Sequence, residues 1–281
     1  MGGLWVISFE QLDQWLVKEL RTFETTEDWL LLQTLVTRDT RRQWLGRLPW
    51  TSRDRVMDFG CGSGIVAWEL AALKGCQVIG LDQDETALRR ARRLIADLPI
   101  QPSPQFIPGD VLHPPFVEKI TGGFSRFVLQ YVSNPKTLLG LWARQLEKGS
   151  YLAIEDIDDG FIVEYPEPPA AWQRVVEAFR QYQAGPGGDR LIGRKLAVWG
   201  KAAGLEVMTL DVAPNVYSGP LQPEDTTVQF DILRIRQALP AMVSQGLLDP
   251  EDFQRGVDAY LASLPHDMFI SVSTVRILFR T

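Results

Sequence analysis

The sequence predicts an α/β protein: a mostly parallel sheet with helices on both faces, preceded by N-terminal helices and carrying a helical insertion before its last strand. Three observations predict it. From Arg55 onward, short apolar strands alternate with amphipathic helices, and repeated strand–helix units mean a parallel sheet covered on both faces. The first strand runs directly into Gly60-x-Gly62-x-Gly64 and a helix. Beyond Asp159 the rhythm changes to longer helices and closes on a β-branched stretch, Phe269 to Phe279.

Taken in order, the chain opens on a helical preface. Phe9, Leu12, Trp15, Leu16 and Leu20 share one face, and Trp29, Leu30, Leu32 and Leu35 form a second apolar run. Glu24 to Asp28 reads as the turn and helix start between them. The tryptophans here (Trp5, Trp15, Trp29, Trp44, Trp50) suit core packing or an aromatic pocket wall. Strands are predicted at Val56–Phe59, Gln77–Asp82, Pro104–Asp110, Tyr151–Glu155 and, weakly because of Gly122 and Gly123, Ile120–Phe124. Helices are predicted at Ile65–Leu73, Thr86–Leu98 and Leu138–Leu146. Helices at Ala170–Gln183 and Ile192–Ala203 then lead to a strand at Val207–Val212. Asp249-Pro250-Glu251-Asp252 is a helix start, with an Asp cap, Pro at the first position and acid in the first turn. The chain thus divides into an N-terminal helical cap (1–50), a sheet domain (51–219 and 265–281) and a helical insertion, or lid (220–264).

At 45% apolar and 23% charged residues the chain readily builds a core. A net charge of −6 opposes a phosphate backbone as main partner. Arg89-Arg90-Ala91-Arg92-Arg93 is basic, but it occupies the polar face of an amphipathic helix and reads as solvated surface. Two cysteines, Cys61 and Cys76, suggest neither a disulfide framework nor a metal cluster. No leader pattern or membrane-length apolar run is seen. The expectation is a cytoplasmic protein with no nucleic-acid, membrane or metal partner.

The glycine turn lets backbone pass close to a ligand and offers free N–H groups from a helix N-terminus. A dinucleotide fingerprint would place glycine at 65, where this chain has Ile65. Asp58, just before the turn, suits a cationic group better than a pyrophosphate. Asp82, eighteen residues after Gly64, ends the second strand and can accept both hydroxyls of a ribose. Asp110 ends the third and is placed to accept from an exocyclic amine of adenine. Three acidic strand ends in series describe an adenosine with a cationic tail.

These residues, with Arg126-Phe127-Val128-Leu129-Gln130-Tyr131 and Glu155-Asp156, resemble the class I S-adenosylmethionine-dependent methyltransferases. Within them the chain is similar to the ubiquinone- and menaquinone-biosynthesis-like group acting on small molecules; Gly187 to Gly193 and Ala203-Gly204-Leu205 add to that likeness. The resemblance covers about residues 50 to 160. It implies a Rossmann-like seven-stranded sheet with an antiparallel last strand, supplied by Phe269–Phe279. It implies S-adenosyl-L-methionine as cofactor, with Asp58, Gly60, Cys61, Gly62 and Gly64 near its methionine end. Asp82 and Gln83 would then lie at the ribose, Asp110 and Val111 at the adenine, and Arg126 and Gln130 between cofactor and acceptor. One departure is Ile120-Thr121, where the family's fourth strand begins with an aromatic–acidic pair.

Methyl transfer is an in-line displacement that needs a base only if the acceptor must lose a proton. Tyr131, Glu155 and Asp156 are the candidate catalytic residues, with Asp158 and Tyr217 as further acceptor contacts. His113 could lie near the adenine or be a surface loop residue, and His266 reads as a loop residue. The acidic run Glu155 to Asp159 is either a solvated loop or a wall attractive to an amine. The leading function is methylation of a small organic molecule at O, N or C, with the insertion closing over it. Protein or RNA methylation, and a non-catalytic S-adenosylmethionine-binding module, are the alternatives.

Overall fold

The computed structural model describes residues 8–22, 29–115, 117, 120–185 and 187–281. Trp5 and the turn expected at Glu24–Asp28 lie outside them. The cap comprises α1 (Phe9–Thr22), α2 (Trp29–Val36) and α3 (Arg38–Arg47). The alternating part follows: β1 (Arg55–Phe59), α4 (Ile65–Lys74), β2 (Gln77–Asp82), α5 (Glu85–Asp97), β3 (Gln105–Pro108), β4 (Gly122–Arg126), α6 (Pro135–Gln145) and β5 (Tyr151–Tyr165). Then come α7 (Ala170–Ala184), α8 (Leu196–Ala202), β6 (Glu206–Gly219), α9 (Thr226–Ser244), α10 (Pro250–Ser263) and β7 (Met268–Arg280). The seven strands form one sheet in the order β3-β2-β1-β4-β5-β7-β6. β1 to β5 pair in parallel, and β7 runs antiparallel between β5 and β6. This is the mostly parallel sheet that the alternation predicts, in the Rossmann-like seven-stranded form with an antiparallel last strand that the resemblance implies.

Strand alternation sends side chains to two cores. On one face Val56, Phe124 and Ala153 meet α1 to α4 through Leu12, Leu31, Trp44 and Trp68. On the other Met57, Phe59, Leu152 and Ile154 meet α6 and α8 through Leu138, Trp142 and Leu196. Phe59 stacks on Trp142 with centroids 4.6 Å apart. The glycines that weaken the predicted fourth strand are required by this packing. A Cβ on Gly122 would lie 2.4 Å from Trp50 Nε1, and one on Gly123 2.8 Å from Leu152. The strand therefore sits two residues later than expected, at Gly122–Arg126.

β5, predicted to stop at Glu155, runs on to Tyr165 past an irregularity between Ile157 and Ile162. β6 likewise extends to Gly219, and both remain paired to β7. The result is an antiparallel three-stranded extension reaching beyond the carboxyl ends of the parallel strands. A third apolar core lies over one of its faces, formed by Trp172, Val175 and Phe179 of α7, Ile232 and Ile235 of α9, and Phe253 and Tyr260 of α10. The insertion expected at 220–264 thus shares its core with α7, which the sequence assigns to the sheet domain; Trp172 stacks on Tyr260 at 4.5 Å.

A buried charge network ties the cap to the sheet. Arg41 and Glu69 are fully buried and joined by two hydrogen bonds of 2.7 and 2.9 Å. Arg42 binds Glu69 at 2.8 Å and Asp13 of α1 at 2.5 Å. Arg41 also donates to Thr37 Oγ1 at 2.9 Å, between α2 and α3. Such charges are tolerated inside only when paired and hydrogen-bonded.

Candidate functional site: two cavities with a shared wall

The glycine turn is held from below. Gly60 and Cys61 N–H both donate to Leu81 O, at 2.8 and 3.0 Å. Asp82 Oδ2 accepts from Gly62 N–H at 2.7 Å, and its Oδ1 accepts from Asp84 N–H at 2.9 Å. A carboxylate has about four acceptor positions, so Asp82 can brace the turn and still receive hydroxyls. Gly60 adopts φ +76°, and a Cβ there would meet Val128 Cγ2 at 2.4 Å. Left-handed backbone and close approach both demand glycine. Gly64, at φ +75°, starts α4.

A cavity of about 510 Å³ opens at this end of the sheet, lined by Gly60, Asp82, Gln83, Asp110, Val111 and Arg126 among others. Asp110 accepts from Leu112 N–H and His113 Nδ1, which hold its carboxyl below the usual range. His113 is thus bonded to the predicted adenine-side residue, though its ring is largely exposed; His266 is exposed. Trp142 Nε1 donates to Val111 O at 3.0 Å and fixes that loop. Asp58, Cys61, Gly62 and Gly64 flank this lining in sequence but are not part of it. Cys61 packs against Gly80, where a Cβ would come within 2.7 Å of its sulfur. Asp58 is buried and its Oδ2 has no hydrogen-bond partner. Burial, reinforced by Asp82 and opposed by Arg126, pushes its pKa up to about 8.

Arg126 is a nearly buried part of the lining. It binds Glu155 Oε2 at 2.6 Å and Thr37 Oγ1 at 2.7 Å, joining the cap network to β4 and β5. Burial lowers its pKa to about 10 against the pull of Glu155. Its guanidinium lies 4.0 Å from the centroid of Phe127. Phe127 has φ +58°, a strained value for a bulky residue, held by its N–H donating to Glu155 O at 2.9 Å.

Beyond Phe127 lies a second cavity of about 1080 Å³. Its floor is one face of the strand extension: Ile162 and Glu164 of β5, Ile270 and Val272 of β7, Asn215 and Tyr217 of β6. Its walls are α2, α7 and α9, and much of the lining is aromatic or aliphatic. Trp29, Leu30, Gln33, Phe127 and Tyr131 line both cavities. Gln130 lines the larger one and donates from Nε2 to Phe127 O.

Two of the predicted catalytic residues are placed elsewhere. Glu155 lines neither cavity. It is held by Arg126, by Arg276 at 2.8 Å and by Thr274 at 2.8 Å. Burial alone would raise its pKa, but these partners bring it to about 2. Asp156 also turns inward: Oδ2 accepts from Leu129 and Gln130 N–H, and Oδ1 from Ile157 N–H. It shapes the 3-10 turn Leu129–Tyr131 that presents Tyr131; burial pushes its pKa up to about 7 despite those bonds. The amine-attracting acidic wall is neutralised as well. Asp158 pairs with Arg194 at 2.6 Å, and Asp159 with Arg190 at 2.6 Å and Arg180 at 2.9 Å. The solvated-loop reading fails too, because the run is strand. Residues the sequence left unassigned, Leu30, Gln33, Phe127 and Arg234, enter the site. Of these only α2, with Trp29, carried a signal, its aromatic and aliphatic run.

Residues 51–205, more than half of the chain, match the family described as a methyltransferase domain. The chain belongs to that family, the class I S-adenosylmethionine-dependent methyltransferases. It is 30% identical over 105 residues to tRNA U34 carboxymethyltransferase of Idiomarina loihiensis, covering 37% of this chain and 32% of that one. It is 32% identical over 62 residues to sterol 24-C-methyltransferase erg6 of Schizosaccharomyces pombe, covering 22% of this chain and 16% of the other. The match thus spans a third or less of either curated relative. Geranyl diphosphate C-methyltransferase from Streptomyces coelicolor A3(2), solved with Mg2+, geranyl diphosphate and S-adenosyl-L-homocysteine, shares the fold. Its TM-score is 0.51 at 17% identity, over 92% of this chain and 83% of that one.

The residues present fit the family's cofactor. A buried carboxylate oxygen without a partner suits a ligand carrying positive charge, and Gly60 lines the smaller cavity, where Val128 leaves no room for a Cβ. Gly60→Ala is therefore expected to weaken S-adenosyl-L-homocysteine binding at least about tenfold, with little loss of helix content. Calorimetry and far-UV circular dichroism check the two halves, and unchanged affinity would refute the close approach.

Among the described residues no helix is long and apolar enough to cross a membrane.

Proposed function

We propose that this chain transfers the methyl group of S-adenosyl-L-methionine to a small, largely apolar acceptor held in the larger cavity. The observation that carries this reading is the shared wall. Five residues bound both spaces, so a donor in the smaller cavity abuts an acceptor in the larger. Asp58, Gly60, Gly62, Asp82, Gln83, Asp110, Val111 and Arg126 would hold the donor, which when bound supplies an electrophilic sulfonium methyl. Asp82 and the glycine turn orient it, and Asp58 offers a carboxylate to its cationic end. Phe127 and Tyr131 face the acceptor. The cap and the three helices of the third core act as a lid that keeps water from the reacting groups. Asp158, Asp159 and Asp231 line the acceptor cavity, but each is ion-paired to arginine. Catalysis here consists mainly of holding two reactants in line.

The tRNA-acting relative supplies the competing reading. Purified chain with methyl-labelled S-adenosyl-L-methionine is given total tRNA in one arm and solvent-extracted apolar metabolites in the other. Label is expected in the extract, resistant to ribonuclease. Label confined to tRNA would overturn the small-molecule reading.

A further inference from the structure

Resting on that reading, the larger cavity says more about what its acceptor carries. Two residues that line it each carry a buried side-chain polar atom with no hydrogen-bond partner, and both atoms are N–H donors: Trp29 Nε1 and Arg234 Nε. Among the described residues, none that lines it carries a buried side-chain acceptor atom left unmatched. A buried donor without a partner is costly and rare in folded proteins, so the asymmetry points to a ligand that brings oxygen acceptors.

The two donors belong to one constellation. Arg234 projects from α9 between Phe179 and Phe230, 5.6 and 5.1 Å from their ring centroids. Phe230 in turn lies 6.4 Å from Trp29, the α2 residue in the shared wall. Asp231 pairs with Arg234 through Nη2 at 3.1 Å, which fixes the guanidinium and leaves Nε free. Arg190, lining the same cavity, is already occupied by Asp159 and Gln183. Arg234 is thus a charged donor with unspent capacity, set among aromatic rings at the end of the cavity bounded by Trp29.

We propose that the acceptor is an apolar, ring-sized or longer molecule bearing an anionic oxygen group, a carboxylate or phenolate. That group accepts from Arg234 Nε and Trp29 Nε1 while the apolar body lies against Phe179, Phe230 and Tyr182. A hydrogen bond to a charged partner in such a setting is stronger than one between neutral groups. Glu164 on the cavity floor is the feature that an amine ligand would use instead, and it makes the choice testable.

The test uses the full chain saturated with S-adenosyl-L-homocysteine and three matched probes: biphenyl-4-carboxylate, biphenyl-4-methanol and biphenyl-4-methylamine. Calorimetry is expected to rank the carboxylate about tenfold or more above the alcohol, with the amine weakest. Arg234→Met is expected to abolish that preference while homocysteine-product affinity stays within about twofold; Trp29→Phe should weaken the carboxylate by a smaller factor. The wild-type ranking needs no variant and stands if Arg234→Met fails to fold. Tightest binding by the amine, lost in Glu164→Gln, would overturn the inference and leave the methyl-transfer reading intact. Equal affinity for all three would overturn it too. Binding of none, with the homocysteine product still bound, would overturn the acceptor role of the cavity and this inference with it.

Discussion

Glu155→Ala is expected to lower the melting temperature by on the order of 10 °C and to abolish cap docking, although Glu155 touches neither cavity. The side chain is buried between two arginines. Arg126 comes from the parallel half of the sheet, and Arg276 from the antiparallel half. Removing the carboxylate leaves both guanidinium groups inside without their counterion. Breaking a buried pair in this way costs about 3–5 kcal/mol, and in a chain of this size each kcal/mol moves the midpoint by about 2–4 °C. Arg276 also donates to Thr40 O at 3.0 Å, and Arg126 to Thr37 Oγ1. The loss therefore propagates into α3 and α2. Thermal unfolding by calorimetry checks it, with a midpoint within 2 °C of wild type, about the effect of a single kcal/mol, as the refuting result. Because the folded pKa of Glu155 is depressed to about 2, its stabilisation is complete above its ordinary range. It is lost as pH falls through that range toward 2.

S-adenosyl-L-homocysteine affinity is expected to rise about tenfold per pH unit between pH 5.5 and 7.5, levelling near 8. With its pKa raised to about 8, Asp58 is mostly neutral in the free protein across that interval. A ligand with a cationic amino group binds the ionised form, so binding must expel the proton, and the penalty shrinks by a decade for each unit toward 8. The sign for stability is opposite. The unfolded chain releases this proton near 4 and the folded chain near 8, so the free protein loses stability as pH rises through that window. Titrations in buffers of different ionisation enthalpy should show close to one proton released at pH 6.5, and Asp58→Asn should flatten the slope. A flat wild-type profile would refute the assignment of Asp58 to the cationic end.

Much of the lining of the smaller cavity was legible because its residues are local in sequence. Gly60 and the strand ends at Asp82 and Asp110 each fall at or just after an apolar strand. The larger cavity was not, since its walls come from α2, α7, α9 and three strands. The run Glu155 to Asp159 shows why. Five residues with four carboxylates read as a solvated loop or an amine-attracting wall at a strand end, yet they form strand, with Arg126, Arg180, Arg190, Arg194 and Arg276 approaching from other segments. No local pattern announces arginines 21 to 121 residues away. Gly122 and Gly123 misled for the same reason, because the bulk that excludes a Cβ there belongs to Trp50 and Leu152.

The antiparallel extension has one more consequence. By carrying the floor of the larger cavity past the ends of the parallel strands, under helices with a core of their own, it sets that cavity apart from the glycine turn and its strand ends. On the proposed function, drift among the residues of α7, α9 and the outer strand faces would retune what is methylated without disturbing the glycine turn, Asp82 or Asp110. In a lineage that duplicates and diverges, new specificities would accumulate in that outer layer first.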